Sequence, residues 1–159
     1  MNGSSTPRPR RATLDDVRSV VYLLELMHDE NATARDTGPE DAALLAEILA
    51  QTGRELLVIE DPDGRVAGTV DVVITRNLSR NRSPWAIVEN LVVRPEERGR
   101  GYGRALMEEA ARIATAAGCY KIQLVSNNAR REAHGLYRSL GFNADVSGFR
   151  RYLSPVRHY

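Results

Sequence analysis

Residues 87–117 constrain this chain more than any other stretch. Residues 87–93 (Ile-Val-Glu-Asn-Leu-Val-Val) form a short, mostly apolar run that reads as a buried strand. From Leu106 onward, apolar side chains recur at Ala110, Ile113, Ala114 and Ala117, one face of a helix. The turn between them carries Gly99, Gly101 and Gly103 at alternate positions, interleaved with Arg98 and Arg100. A strand, a glycine-rich turn and a helix in that order leave the first helical amides without partners. Glycines let the backbone close around an anion at those amides. Arginine forks add charge. The segment therefore predicts an α/β chain with a pyrophosphate seat at the start of its main helix.

Three phosphate-binding patterns compete for this turn. A P-loop ends in Gly-Lys-Ser/Thr, which is absent. A dinucleotide fingerprint spaces its glycines G-x-G-x-x-G after a first strand, whereas here the spacing is G-x-G-x-G in mid-chain. The third pattern, Arg/Gln-x-x-Gly-x-Gly/Ala, is met by Arg98, Gly101 and Gly103.

The rest of the sequence fits one domain. Its 159 residues suffice for a sizeable core, with 42% hydrophobic and 27% charged residues. A net charge of +1 gives no overall field toward nucleic acid or an anionic membrane. Lys121 is the lone lysine among 22 basic residues, a bias that reflects genome composition rather than function. The single cysteine, Cys119, rules out an internal disulfide and reads as a buried, inert thiol. No apolar run approaches membrane-spanning length and no signal-peptide core opens the chain, so the expected location is cytoplasmic.

Taken in order, residues 1–9 are rich in Ser, Pro and Gly and read as disordered. Residues 10–14 suggest a short strand. Thr13 then caps a helix running to about Asn31, with Val17, Val20, Val21, Leu24 and Met27 as its apolar stripe. Pro39 opens a second helix over residues 40–51, stopped by Gly53. Residues 56–60 and 66–75 flank the Asp61-Pro62-Asp63-Gly64 turn as a hairpin. A polar loop over 76–84 leads to the central strand, 85–93. After the helix at 102–118 come a strand at 120–126, a helix at 130–140 ended by Gly141, and a last strand at 146–153. The order β-α-α-β-β-β-α-β-α-β has no internal repeat and implies one α/β domain with a mixed sheet.

The glycine turn, with Val92, Val93 and Pro95 before it, resembles the acetyl-CoA site of the GNAT family of N-acetyltransferases. The order of elements over about residues 10–153 is similar to that family's. The pattern Arg130-x-x-Ala133-His134-x-Leu136-Tyr137-x-x-x-Gly141-Phe142 resembles its second signature. Gly118-Cys119-Tyr120-Lys121-Ile122 resembles the matching strand of the family's glucosamine-6-phosphate acetyltransferases, though other members share this string.

The resemblance implies a single-domain acyl-CoA N-acyltransferase (GNAT) fold over residues 10–159, a mixed, mostly antiparallel twisted sheet flanked by about four helices. It implies that the strand before the turn is bulged and splays from its neighbour, placing Leu91, Val92 and Val93 along the pantetheine arm of acetyl-CoA. The pyrophosphate falls to Arg98, Gly99, Arg100, Gly101, Tyr102, Gly103 and Arg104. Asn127 or Asn128 sits where a family Asn contacts the cofactor, although the position at the usual spacing before the Tyr is Arg130. The acceptor falls to the first helix and its loop, around Glu25 and His28, and to the loop containing Asn77. A homodimer follows by analogy alone.

The chemistry expected is direct transfer of acetyl from acetyl-CoA, a cosubstrate, to a primary amine of a small molecule. An alkyl amine with a pKa of about 10 arrives protonated and needs a base, reached directly or through water. Glu89, an acid in an apolar strand, is the candidate, against an alternative role as a satisfied structural carboxylate. The N–H of Val92 or Val93 is placed to receive the developing oxyanion. By resemblance Tyr137 is the general acid for the departing thiolate, and a phenol stays protonated at neutral pH. His134 reads as a packing residue, and His28 and His158 lack partners at ligand spacing, so no metal site is expected. Two other functions compete: acetylation of a peptide or protein amine, and a non-catalytic acyl-CoA-binding module that would need neither Glu89 nor Tyr137.

Overall fold

In a computed structural model, residues 7–153 of the chain are described. Residues 1–6, within the stretch expected to be disordered, and residues 154–159, within the expected domain, lie outside them. The chain divides into two compact units, with the break between Leu124 and Val125.

The first unit is built on a five-stranded sheet in the order β1-β2-β3-β4-β5. Its strands are β1 (Arg10–Arg11), β2 (Arg54–Glu60), β3 (Val66–Thr75), β4 (Trp85–Val93) and β5 (Ile122–Gln123). All neighbours are antiparallel except β4 and β5, which are parallel. β3 and β4 have the bounds expected from sequence. The turn between β2 and β3 works as the Asp-Gly signal predicts: Gly64 has φ of +78°, and Asp61 Oδ1 accepts the N–H groups of Asp63 and Arg65.

Four helical elements serve this sheet. The helix α1 (Val17–Leu26) and α2 (Pro39–Ala50) cover one face. A single turn, α3 (Ser79–Arg82), follows β3, and α4 (Tyr102–Ala116) covers the opposite face. Leu56 and Val58 of β2 and Val92 of β4 share a core with Val20, Leu23 and Leu26 of α1. Gly68 of β3 faces the other way, where an added Cβ would lie 3.2 Å from Leu106 Cδ1 of α4. Each fully buried aliphatic side chain, such as Leu23 or Leu106, stabilises the fold by about 1.5–3 kcal/mol.

Several local expectations change in the folded chain. The stripe of α1 centres on Val20, Leu23 and Leu26, with Val17, Leu24 and Met27 at its flanks. This helix ends at Leu26 rather than near Asn31, because residues 28–31, past Met27, are polar and exposed and have no face to bury. A 3-10 turn (Leu14–Asp16) precedes it; there Asp16 reaches back to accept from Thr13 N–H at 2.8 Å and from Thr13 Oγ1 at 3.2 Å. The polar loop after β3 holds three successive residues, Arg80, Asn81 and Arg82, with φ of +50°, +56° and +64°. The strand expected over 120–126 shrinks to two residues, because β5 pairs with β4 only at Ala86 and Ile87.

The second unit contains α5 (Arg131–Ser139). Its end is sealed by Gly141, at φ of +86°, and by Phe142 N–H donating to Tyr137 C=O at 3.0 Å. The last strand expected, over 146–153, does not form among the described residues. Its apolar residues Val146, Phe149 and Leu153 fall three and four apart instead of alternating, and all are exposed.

Asp16 ties this architecture to pH. Burial raises its carboxyl, but hydrogen bonds from Arg10 (2.8 and 2.9 Å) and from Thr13 outweigh burial and hold it below the usual carboxylate range. A depressed folded-state value gives stability that is present above about pH 4 and lost as pH falls through the folded value. Asp16→Asn is expected to lower unfolding free energy by about 1–2 kcal/mol at pH 7. The difference should shrink in acid. Urea denaturation of both chains at pH 7 and pH 3 measures it.

Candidate active site

The site in the first unit begins where β4 loses its neighbour. β5 accompanies β4 through Ala86 and Ile87 and no further. Beyond that point β4 also shifts register against β3: Asp71 pairs with Glu89 and Thr69 with Val92, so Asn90 and Leu91 share one position. Asn90 takes φ of +57° to make this bulge, a conformation asparagine tolerates better than most side chains. Downstream, Arg94 N–H donates to Ala67 C=O of β3 at 2.8 Å. Because strand amides alternate in direction, the N–H of Val92 points toward β3 and that of Val93 away from it, to the side β5 has left. The side chains of Leu91 and Val92 are buried in the core. Their backbones lie along the parting.

The turn that follows is shaped by left-handed glycines. Gly99 has φ of +77° and Gly101, the N-cap of α4, φ of +87°. The first intrahelical bond of α4 runs from Ala105 N–H to Gly101 C=O at 3.0 Å. The amides of Tyr102 and Gly103 therefore belong to the first turn, which lacks intrahelical acceptors, at the positive end of a 15-residue helix. An added Cβ at Gly99 would meet no atom within 4 Å, so this side of the turn is open. The arginines behave differently from the amides. Arg98 Nη1 donates to Glu30 at 2.7 Å, Arg100 Nη1 lies 3.1 Å from Glu97, and Arg104 Nη1 lies 3.6 Å from Glu108. Tyr102 is 4% exposed and anchors the helix start. An anion at this turn meets main-chain N–H groups first, with the guanidinium groups already held by carboxylates.

Glu89 is exposed, not buried as an acid within an apolar run would suggest. The strand pattern explains this, since Glu89 stands on the α1 face, where the core of Leu56, Val58 and Val92 does not cover it. The buried carboxylate is its cross-strand partner Asp71, at 2% exposure. Asp71 and Arg54, which grips it, carry the same signal in the sequence, charge within apolar strands. Only the β3–β4 register reveals that Asp71 adjoins Glu89. Arg94, with its Nε buried without a hydrogen-bond partner and its guanidinium 5.8 Å from the Tyr22 ring, is a further residue not singled out by the motif.

The residues expected at the acceptor divide between two faces. Glu25 lies on α1, where it accepts from Arg35 Nε at 3.0 Å, and the same guanidinium holds Asp41 at 2.7 and 2.9 Å. His28 is exposed just past the helix. Asn77 lies elsewhere. It lines a cleft of about 890 Å³ with Ile74, Arg76, Arg82, Ile113 and Ala117, on the α4 side of the sheet. Its side chain bonds Ser79 Oγ at 2.7 Å.

In the second unit, Tyr137 is buried on α5, with its ring centre 6.0 Å from that of Phe142 and 6.4 Å from that of His134. His134 Nε2 lies 3.2 Å from Ser126 Oγ, in keeping with a packing role. Asn127 Oδ1 accepts from Ala129 N–H at 2.9 Å, so this side chain supports the turn into α5. Asn128 is exposed. Burial pushes the Cys119 thiol up, away from a reactive thiolate. Among the described residues no group of three or more His, Cys, Asp or Glu gathers to hold a metal, and no helix is long and apolar enough to cross a membrane.

Known proteins share this arrangement. A glucosamine 6-phosphate N-acetyltransferase of Trypanosoma brucei brucei is 34% identical over 83 residues, covering 52% of this chain; the chain spans about half, 54%, of that relative. A probable glucosamine 6-phosphate N-acetyltransferase 2 of rice is 32% identical over 145 residues, covering 88% of this chain and 83% of the relative. The solved structure of a putative acetyltransferase from Agrobacterium tumefaciens superposes with a TM-score of 0.80 at 31% identity, covering 91% of this chain and 98% of that one. The sequence model of the Acetyltransferase (GNAT) family matches residues 21–142, through the bulged strand, the glycine turn and α5. The chain belongs to that family.

Proposed function

We propose that the protein is an N-acetyltransferase that moves the acetyl group of acetyl-CoA directly to a primary amine of a small molecule. The observation that carries this reading is the parting of β4 from β5 beside a left-handed bulge, which runs straight into the glycine turn. Strand backbone can pair with an extended amide-bearing arm there, and helix amides beyond it suit a diphosphate. The residues present fit acetyl-CoA as cosubstrate. Leu91, Val92 and Val93 line the arm, and residues 98–104 hold the diphosphate.

In this reading Glu89, exposed on the sheet, takes the proton of the incoming ammonium through water. The N–H of Val93, turned toward the open side of β4, donates to the thioester carbonyl oxygen as negative charge builds on it. Tyr137 gives a proton to the departing sulfur. The family motif supports Tyr137, and a phenol is protonated at neutral pH. The relatives named above point to an amino sugar phosphate as the first acceptor to try. Glu25 is already engaged by Arg35, a guanidinium it shares with Asp41, so a cationic acceptor would compete for it. Asn77 contributes to an acceptor site only if that site reaches the α4 face.

Thiol release from acetyl-CoA, followed across glucosamine 6-phosphate, glucosamine, a polyamine, an amino acid and a peptide with a free N-terminus, tests the proposal. Turnover of a small amine is expected. Turnover of the peptide alone would move the activity to protein amines, and CoA binding without any turnover would leave only a binding module. Gly101→Asp places a carboxylate at a left-handed helix cap and should weaken CoA binding by about 100-fold or more in calorimetry. Tyr137→Phe should lower kcat by about 100-fold with CoA affinity nearly unchanged. Wild-type kcat in Tyr137→Phe would remove the phenol from the chemistry.

A further inference from the structure

Three charged side chains lie on neighbouring strands of the sheet: Arg54 of β2, Asp71 of β3 and Glu89 of β4. Asp71 is 2% exposed. Its Oδ1 and Oδ2 accept from Arg54 Nε at 3.0 and 3.1 Å, and Oδ2 accepts from Nη2 at 2.5 Å. The remaining arm of that guanidinium, Nη1, donates to Gln51 Oε1 at 2.9 Å. Asp71 is also the direct ladder partner of Glu89. Residues so paired keep their Cβ atoms about 4.5–5.5 Å apart on one face, and like charges there oppose folding.

Stability does not explain this placement. The residues around Asp71 on its own strand are Val70, Val72 and Val73, the first two fully buried. A buried ion pair is on average no better than an apolar pair of the same volume. Two acids on facing positions add a further cost. The arrangement makes sense if the charge of Asp71 is wanted beside Glu89.

We propose that Asp71 is a positioning residue for acetyl transfer: held in place by Arg54, its carboxylate stands behind Glu89 and makes Glu89 a stronger proton acceptor without touching the acceptor amine. The inference rests on the reading of Glu89 as the base. Asp71 is buried and Glu89 exposed, so the division of labour is built into the sheet. A negative charge next to a carboxylate favours its protonated form and raises its basicity, and the neighbouring guanidinium tempers that effect. Other ionisable groups on this side are Tyr22 and Glu25 of α1 and Asp41 of α2, with Glu25 and Asp41 both on Arg35. Arg94 lies against Tyr22, and Lys121, just before β5, lies over the Trp85 ring. Arg54 is the cation that holds Asp71.

The test is the pH dependence of kcat/KM for thiol release, using the amine turned over fastest in the panel above. Asp71→Asn should move the acid limb to lower pH by about one unit, and Arg54→Gln should move it to higher pH. A purely structural pair would move neither limb, or would lower activity equally at every pH. Asp71→Asn leaves a guanidinium unpaired and can cost folding. The double variant Arg54→Gln/Asp71→Asn replaces the ion pair by two amides, and its limb should lie about one unit below that of Arg54→Gln. An unmoved limb in folded Asp71→Asn, or no difference between the double variant and Arg54→Gln, overturns the role of Asp71. Glu89→Gln separates the two levels. If it abolishes the limb while Asp71→Asn leaves the limb in place, only the Asp71 proposal fails; if the limb survives in Glu89→Gln, the reading of Glu89 as base fails.

Discussion

The arrangement of the first unit follows from β4 having a full partner on one side and a brief one on the other. β3 pairs with β4 along most of its length, while β5 stays for two residues. A strand whose polar backbone groups lose their neighbour must find water, a ligand or a bulge. Here the parting and the bulge at Asn90 come together. The extra residue at the bulge offsets Glu89 from Val92 on the same face and fixes which of the amides at Val92 and Val93 looks outward. Two features that weaken a sheet thereby turn backbone groups of β4 outward, where the proposed reading seats the cosubstrate arm.

The turn after β4 shows how little the charged side chains need to contribute. In the sequence the arginines draw the eye as much as the glycines. In the fold, Arg98 and Arg104 each face an exposed carboxylate, and Arg100 faces the buried Glu97. Exposed pairs of this kind are worth little, about 0–1 kcal/mol. The left-handed glycines and the first turn of α4 are set by the backbone itself and need no rearrangement to meet an anion. Exchange of a carboxylate partner for a phosphate at Arg98 then costs little.

Much of this was legible in the sequence, for identifiable reasons. β3 and β4 have strong apolar patterns bounded by turn residues, and they fall where those patterns place them. The Asp61–Gly64 turn and the Gly141 stop rest on local chemistry that no tertiary contact overrides. Four things were not legible. The stripe of α1 is ambiguous because Val20, Val21, Leu23, Leu24, Leu26 and Met27 offer two overlapping faces, and only packing against β2 and β4 chooses. The exposure of Glu89 is hidden because strand alternation says which face a residue takes, not whether a helix covers it. The significance of Asp71 is hidden because it depends on a long-range register. The 146–153 stretch has apolar residues without strand periodicity, so its pattern gives the strand expected there no support.

The single thiol and the single lysine of the protein bear on its own durability. The chain has one cysteine and, among its 22 basic residues, one lysine. The thiol of Cys119 is pushed up by burial, and the ammonium of Lys121 lies 4.6 Å from the Trp85 ring centre and 5.6 Å from that of Tyr120. Guanidinium groups, which provide nearly all the remaining positive charge, are poor nucleophiles at neutral pH. Beside the acyl donor of the proposed reaction such a chain offers few side chains to modify, and guanidinium charge is not lost to acylation.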